Sequence, residues 1–196
     1  MPVIPEIEHH PLQPFLPKNA RVLMLGSFPP PRVRWCMEFF YPNPQNDMWR
    51  IIGQVFYGDK LHFCTHEKRF KYEEIVEFCK DRGIAIFDTA QAVRRLQGNA
   101  ADEHLEIIEA TDITELLKQL PLCNDICCTG GKAAETLAEM MQTNTPKVGE
   151  YIETSFADKP IRFWRMPSTS RAYPLSFEKK AAAYMRMMKT IGFSLA

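Results

Sequence analysis

The sequence predicts an α/β fold: a three-layer α/β/α sandwich around a central, mainly parallel four-stranded sheet. Three observations predict it. Four short apolar runs recur along the chain, and they lack polar alternation, as strands buried on both faces do. Segments with helical spacing lie between them, and strand–helix alternation gives a parallel sheet with helices on both faces. Each run also stops at a turn-forming or small polar residue, where a strand hands over to a loop.

The elements follow in order. Pro2, Pro5, Pro11, Pro14 and Pro17 make residues 1–20 an extended strap on the surface, ahead of a single domain over residues 21–196. The first strand is Arg21-Val22-Leu23-Met24-Leu25, before Gly26-Ser27. A helix is expected from Asn46 to Phe56, with Trp49, Ile52 and Phe56 on one face, and a second from Phe70 to Cys79. Ile84-Ala85-Ile86-Phe87, before Asp88-Thr89, is the second strand. Ile113 to Leu120 is helical. The third strand is Ile126-Cys127-Cys128, before Thr129-Gly130-Gly131, and a helix from Ala133 to Met141 follows. Ile161 to Met166 is the fourth strand, before Pro167-Ser168, and Phe177 to Ile191 the last helix. Ligands of such sheets bind beyond the carboxyl ends of the strands. The stretches GSFPP, DTA, CTGGK and PSTSR should therefore converge on one rim.

Composition narrows the function. Lys+Arg and Asp+Glu number 24 each in 196 residues, so the formal net charge is zero. That argues against coating nucleic acid by bulk charge, but leaves room for gripping a few phosphates locally. No apolar run approaches the roughly 18 residues of a membrane span. The N-terminus lacks the basic-then-apolar order of a signal peptide. A cytoplasmic location without membrane association is expected. The six cysteines (Cys36, Cys64, Cys79, Cys123, Cys127 and Cys128) form no C-x-x-C pair. They read as reduced, buried thiols, and neither a metal nor a cofactor is expected. His9, His10, His62, His66 and His104 are scattered. His62 and His66 lack a third ligand nearby.

Each rim stretch has two readings. Gly26-Ser27 permits a tight turn with exposed N–H groups, stiffened by Pro29, Pro30 and Pro31. The same pattern also serves as an ordinary strand end. Gly130-Gly131-Lys132 at a strand-to-helix junction suits a phosphate, or a plain turn with a solvated lysine. It is not a nucleotide P-loop: the first glycine of that motif would fall on Ile126, and Ala133 follows the lysine. Phe39 to Trp49 packs aromatics, prolines and asparagines before a helix. Asn46 fits an N-cap, and the loop equally fits a planar polar ligand held by stacking and an amide. Asp88 reads as a cap or a catalytic carboxylate. Ser168, Thr169, Ser170 and Arg171 offer small donors and a cation, as an anion or a solvated turn would have them.

Together the motifs resemble the uracil-DNA glycosylase superfamily, and more narrowly its hypoxanthine-DNA and mismatch-specific uracil/thymine glycosylases. The resemblance runs over nearly all the chain after residue 20. It rests on Gly26-Ser27-Phe28-Pro29-Pro30, Tyr41-Pro42-Asn43-Pro44-Gln45-Asn46-Asp47-Met48-Trp49, Thr129-Gly130-Gly131-Lys132 and Met166-Pro167-Ser168-Thr169-Ser170. It implies a monofunctional DNA glycosylase acting as a monomer in base-excision repair, on DNA with a deaminated or mismatched base flipped from the stack. By position, it makes Asn46 catalytic, with Asp88 in reserve, and gives Gly26, Ser27, Phe28, Tyr41 and Thr129 to the base. Lys132, Ser168, Thr169, Ser170 and Arg171 fall to the DNA. The chain departs from the pattern in four places. Phe28 stands where the mismatch-specific enzymes carry a water-positioning asparagine, and Thr129 replaces the asparagine of an Asn-Gly-Lys turn. Pro30 replaces a glycine, and Arg171 lies one residue earlier than an arginine of some relatives. The alternative is a relative that binds damaged DNA or a nucleotide without cutting. A serine hydrolase using Ser168 lacks the G-x-S-x-G elbow.

Overall fold

The computed structural model describes residues 5–96 and 104–196. Its elements are β1 (Ile7–His9), β2 (Val22–Gly26), α1 (Met48–Tyr57), α2 (Tyr72–Arg82), β3 (Ile84–Asp88), β4 (Ala90–Arg95) and β5 (Leu105–Ala110). Then come α3 (Ile113–Lys118), β6 (Asp125–Thr129), α4 (Gly131–Met141), β7 (Glu150–Phe156), β8 (Lys159–Met166) and α5 (Phe177–Ile191). A central sheet in the order β3-β2-β6-β8-β7 is flanked by helices.

The four expected strands are its parallel members. Every residue of β2, β3 and β6 is buried, which is why these strands read as unbroken apolar runs. The expected count of four is corrected to five. β7 adds to β8 antiparallel, and its residues alternate between exposed and half-buried. An edge strand with polar alternation gives no apolar run, so nothing in the pattern announced it. A second sheet, in the order β1-β4-β5, is antiparallel throughout and was not anticipated either. Its small core is Phe28, Ala90, Val93 and Leu105, with Ile107 packed alongside.

The register brings the strand ends level. Gly26 pairs with Asp88, Leu25 with Cys128, and Thr129 with Met166. The loops leaving β2, β3, β6 and β8 therefore start from one rim. Residues 1–4 of the strap lie outside the described residues. The rest is tied down at two points. β1 pairs with β4, and Phe15 exchanges two backbone hydrogen bonds with Ile86 at the free edge of β3. Between those points the side chain of His10 turns inward and is 1% exposed. α1 begins two residues later than expected, at Met48. Asn46 is held out of the helix as a bridge partner of Ser170, and Asp47 N–H donates to Thr169 O (3.0 Å).

Candidate active site

A cleft of about 540 Å³ opens over the rim. Its floor is the β2–β3 pair. A Cβ placed on Gly26 would lie 2.5 Å from Asp88 Oδ1, so only glycine leaves room for that carboxylate. Asp88 is anchored from behind, with its carbonyl accepting from Thr111 Oγ1 (2.7 Å) and its Oδ2 lying 2.7 Å from His10 Nε2. Oδ1 accepts no hydrogen bond among the described residues. Ser27 N–H, at the start of the next turn, has no acceptor among them either, so a donor and an acceptor are both left open beside the cleft.

The loop before α1 forms one wall, and the helix itself fixes that loop. Trp49 Nε1 donates to Phe40 O (3.0 Å), while Arg50 Nη1 donates to Pro44 O (2.8 Å) and Asn46 O (3.2 Å). Phe39 and Phe40 point into the core. Tyr41 adopts φ 50°; its ring packs against the same core and its hydroxyl meets Thr129 Oγ1 at 2.6 Å. Burial, reinforced by the nearby Asp88 charge, holds the Tyr41 hydroxyl well above its ordinary pKa, so it stays a protonated donor. Asn46 Oδ1 accepts from Met48 N–H (2.9 Å), covering one orphan donor of the helix start. Its Nδ2 has no partner among the described residues. The N-cap position falls to Asp47, so Asn46, expected there, instead closes a turn one residue ahead of it and still offers two N–H donors.

The opposite wall is the Ser168–Tyr173 loop. Ser168 Oγ accepts from Ser170 N–H and Ser170 Oγ from Ala172 N–H, both at 3.2 Å, a tandem of local turns. Thr169 is buried and braces Asp47 through its carbonyl. Beneath the loop, Lys180 of α5 is only 2% exposed and donates to Ser170 O (2.7 Å). Burial lowers its pKa, against the pull of Asp47. Arg171 is half-exposed, with Nε 3.1 Å from Asp47 Oδ1.

The structure brings together Gly26, Ser27, Phe28, Tyr41, Asn46, Asp88, Thr129, Ser168, Thr169, Ser170 and Arg171 around this cleft. Lys132 does not line it. Gly130, at φ 122°, faces Ser168, and the chain turns into α4 before the lysine is reached. Sequence reasoning missed His10 and Lys180. His10 read as one of several scattered histidines, and Lys180 was not singled out within the last helix. The signal for Lys180 was its place beside Ala181 and at helical spacing from Ala183, Tyr184 and Met187, all on the buried side of α5.

An open groove of about 1300 Å³ continues from the cleft and shares Arg34, Asn43, Gln45 and Arg171 with it. Arg34, Arg50, Lys60, Lys68, Arg69 and Arg171 line it, against Asp47 and Glu67 as the acids. A chain with no net charge thus has a locally cationic face beside its cleft. All six cysteines are free. Burial pushes the Cys123 thiol up to about 12 and raises those of Cys79, Cys127 and Cys128, which leaves them unreactive packing groups. Among the described residues, no helix is long and apolar enough to cross a membrane.

Comparison with known proteins places this arrangement. No protein-family model matches the chain. A hypoxanthine DNA glycosylase of Methanosarcina acetivorans is 31% identical over 121 residues, covering 61% of this chain and 70% of that protein. A hypoxanthine DNA glycosylase of Methanosarcina barkeri is 27% identical over 122 residues, covering 62% and 71%. The solution structure of a candidate uracil DNA glycosylase from M. acetivorans superposes with a TM-score of 0.62 at 25% identity, over 94% of this chain and 99% of that one. With its motifs ordered around one cleft of a matching fold, the chain belongs to the hypoxanthine DNA glycosylase branch of the uracil-DNA glycosylase superfamily.

Proposed function

We propose that this chain hydrolyses the N-glycosidic bond of hypoxanthine flipped out of DNA. The observation that carries the reading is the pairing of an open amide donor, Asn46 Nδ2, with an open carboxylate acceptor, Asp88 Oδ1, around one cleft. The cleft has room for a purine nucleoside. Water adds through oxygen to C1′ while the C1′–N9 bond breaks, and the bonding electrons leave on the purine. The purine then takes up a proton, giving free hypoxanthine and an abasic sugar. The sugar develops oxocarbenium character, so a strong general base is not required. Donors that face the leaving base stabilise its growing negative charge. Asn46 Nδ2–H and Ser27 N–H have that role, and Tyr41 and Phe28 hold the ring. Asp88 Oδ1, an acceptor, orients the attacking water.

The hydroxyls of Ser168 and Ser170 grip phosphates beside the flipped nucleotide, and Arg171 leaves Asp47 to join them. The cationic groove carries the flanking strand. The chain works as a monomer in base-excision repair, in the cytoplasm. The test is alkali-induced scission of oligonucleotides carrying hypoxanthine, uracil, xanthine or mismatched thymine, with wild type and Asn46→Ala side by side. Cleavage at hypoxanthine, reduced at least roughly 100-fold in the variant, is expected. Binding to the damaged duplex without cleavage of any base would make the chain a recognition module and refute the reading.

A further inference from the structure

We infer that the N-terminal strap is part of the active site, because His10 positions the Asp88 carboxylate for the reaction. The inference rests on the glycosylase reading above. His10 and Asp88 are 78 residues apart, yet Nε2 and Oδ2 meet at 2.7 Å, with the two side chains 1% and 10% exposed. Phe87, Phe28 and Phe40 surround the imidazole, with ring centroids at 4.5, 5.3 and 6.1 Å. A polar ring sealed among three phenylalanines carries a desolvation cost unless its nitrogens are bonded. Both are. Nδ1 lies 3.1 Å from the N–H and from the carbonyl of Leu12, on the strap itself. Neutral imidazole accepts from Leu12 N–H, and protonated imidazole donates to Leu12 O. In either state Nε2–H is left to donate to Asp88 Oδ2.

The consequence lies in what this does to Oδ1. A carboxylate at the end of β3 is free to rotate about its terminal torsion, which is broad and roughly two-fold. With Oδ2 held from behind by His10, that rotation stops. Oδ1 is then fixed over Gly26, in the one place where a missing Cβ admits it, and open to the cleft. The strap is in turn fixed so that His10 cannot withdraw. His10 N–H donates to Gln91 O (2.8 Å), β1 pairs with β4, and Phe15 bridges to Ile86. His10 is buried and does not line the cleft, whereas Asp88 does, so the effect of His10 passes through Asp88. Fixing a group within a fraction of an ångström is worth roughly 100-fold in rate.

The experiment measures two quantities on the full chain. One is the single-turnover cleavage rate on a hypoxanthine duplex. The other is the dissociation constant for the same duplex with a 2′-fluoro sugar, which resists cleavage. His10→Ala is expected to lose roughly 100-fold in rate while its dissociation constant stays within about threefold. His10→Gln, whose amide N–H can reach the same oxygen, should recover much of the loss. In an Asp88→Asn background, His10→Ala should add little further loss, because the two residues act as one unit. Thermal unfolding of each variant is followed in parallel. A lower melting temperature with an unchanged rate, or losses that simply add in the double variant, would make His10 a strap anchor and overturn the inference. A wild-type chain that cleaves no base would overturn the glycosylase reading, and the role of His10 with it.

Discussion

Tyr41 Oη lies 2.6 Å from Thr129 Oγ1, joining the loop before α1 to the end of β6 across the cleft. Removing that hydroxyl leaves the ring in place and Thr129 without its partner. Tyr41→Phe should lower stability by about 1 kcal/mol and loosen the wall that holds the base. Urea unfolding and single-turnover cleavage, measured on one preparation, separate the two effects. An unchanged denaturation midpoint would show that the bond contributes nothing.

Gly26→Ala tests how tightly the floor is built. The new Cβ must displace Asp88 Oδ1, which it would otherwise approach to 2.5 Å. A cleavage loss of roughly 100-fold is expected with a stability cost of only about 1–3 kcal/mol. Near-normal cleavage by the folded variant would mean that Asp88 need not occupy this position.

Asp125 marks the other end of the sheet. Its carboxylate binds Arg162 (2.7 Å) and accepts from Trp164 Nε1 (2.8 Å), at the start of β6 and away from the rim. Asp125→Ala leaves the indole N–H unpaired and should cost about 3 kcal/mol, seen as a lower melting temperature. Cleavage at 25 °C should persist. Loss of activity in folded protein would contradict the separation of frame from site.

High pH should unfold the protein through its buried neutral groups. Tyr41, Tyr184 and four thiols have pKa values raised chiefly by burial, so the native state favours their protonated forms. This stability is fully present below the unfolded values and is lost as pH rises towards the folded ones. For Cys123 the window runs from an ordinary value of 9.0 up to about 12, at about 1.4 kcal/mol per pH unit. Urea midpoints should hold steady below pH 8.5 and fall above pH 9. Cys123→Ala should remove one group's share of that slope.

Salt should weaken DNA binding, since the cations that line the groove replace counterions on phosphates. Lys60→Ala and Arg34→Ala are each expected to lower the log–log salt slope by roughly 0.9 if each neutralises one duplex phosphate. Equal slopes in wild type and variants would place the DNA elsewhere.

The parts of this protein legible in sequence are those whose cause is local. Val22–Gly26, Ile84–Asp88 and Asp125–Thr129 are buried on both faces, so their apolar runs identify them as central strands. β7, β4 and β5 have an exposed or half-exposed side, and their mixed residues gave no such run. Asn46 was read as an N-cap because Asn is favoured there, but Asp47 takes that place and Asn46 lies one residue ahead of it. Its freedom to donate as well depends on Met48 N–H taking Oδ1, which spacing alone does not decide.

What the sequence determined by itself was the central sheet, the order of its strands and helices, and the motifs leaving their carboxyl ends. Hydrophobic period and turn chemistry act over a few residues and need no partner. The fifth strand, the second sheet and the burial of Lys180 under the Ser168–Tyr173 loop were decided only by tertiary structure. So was the meeting of His10 with Asp88. These depend on which distant surfaces are sealed against one another. A histidine acquires its role only when the chain lays it, dry and bonded, against a carboxylate 78 residues away.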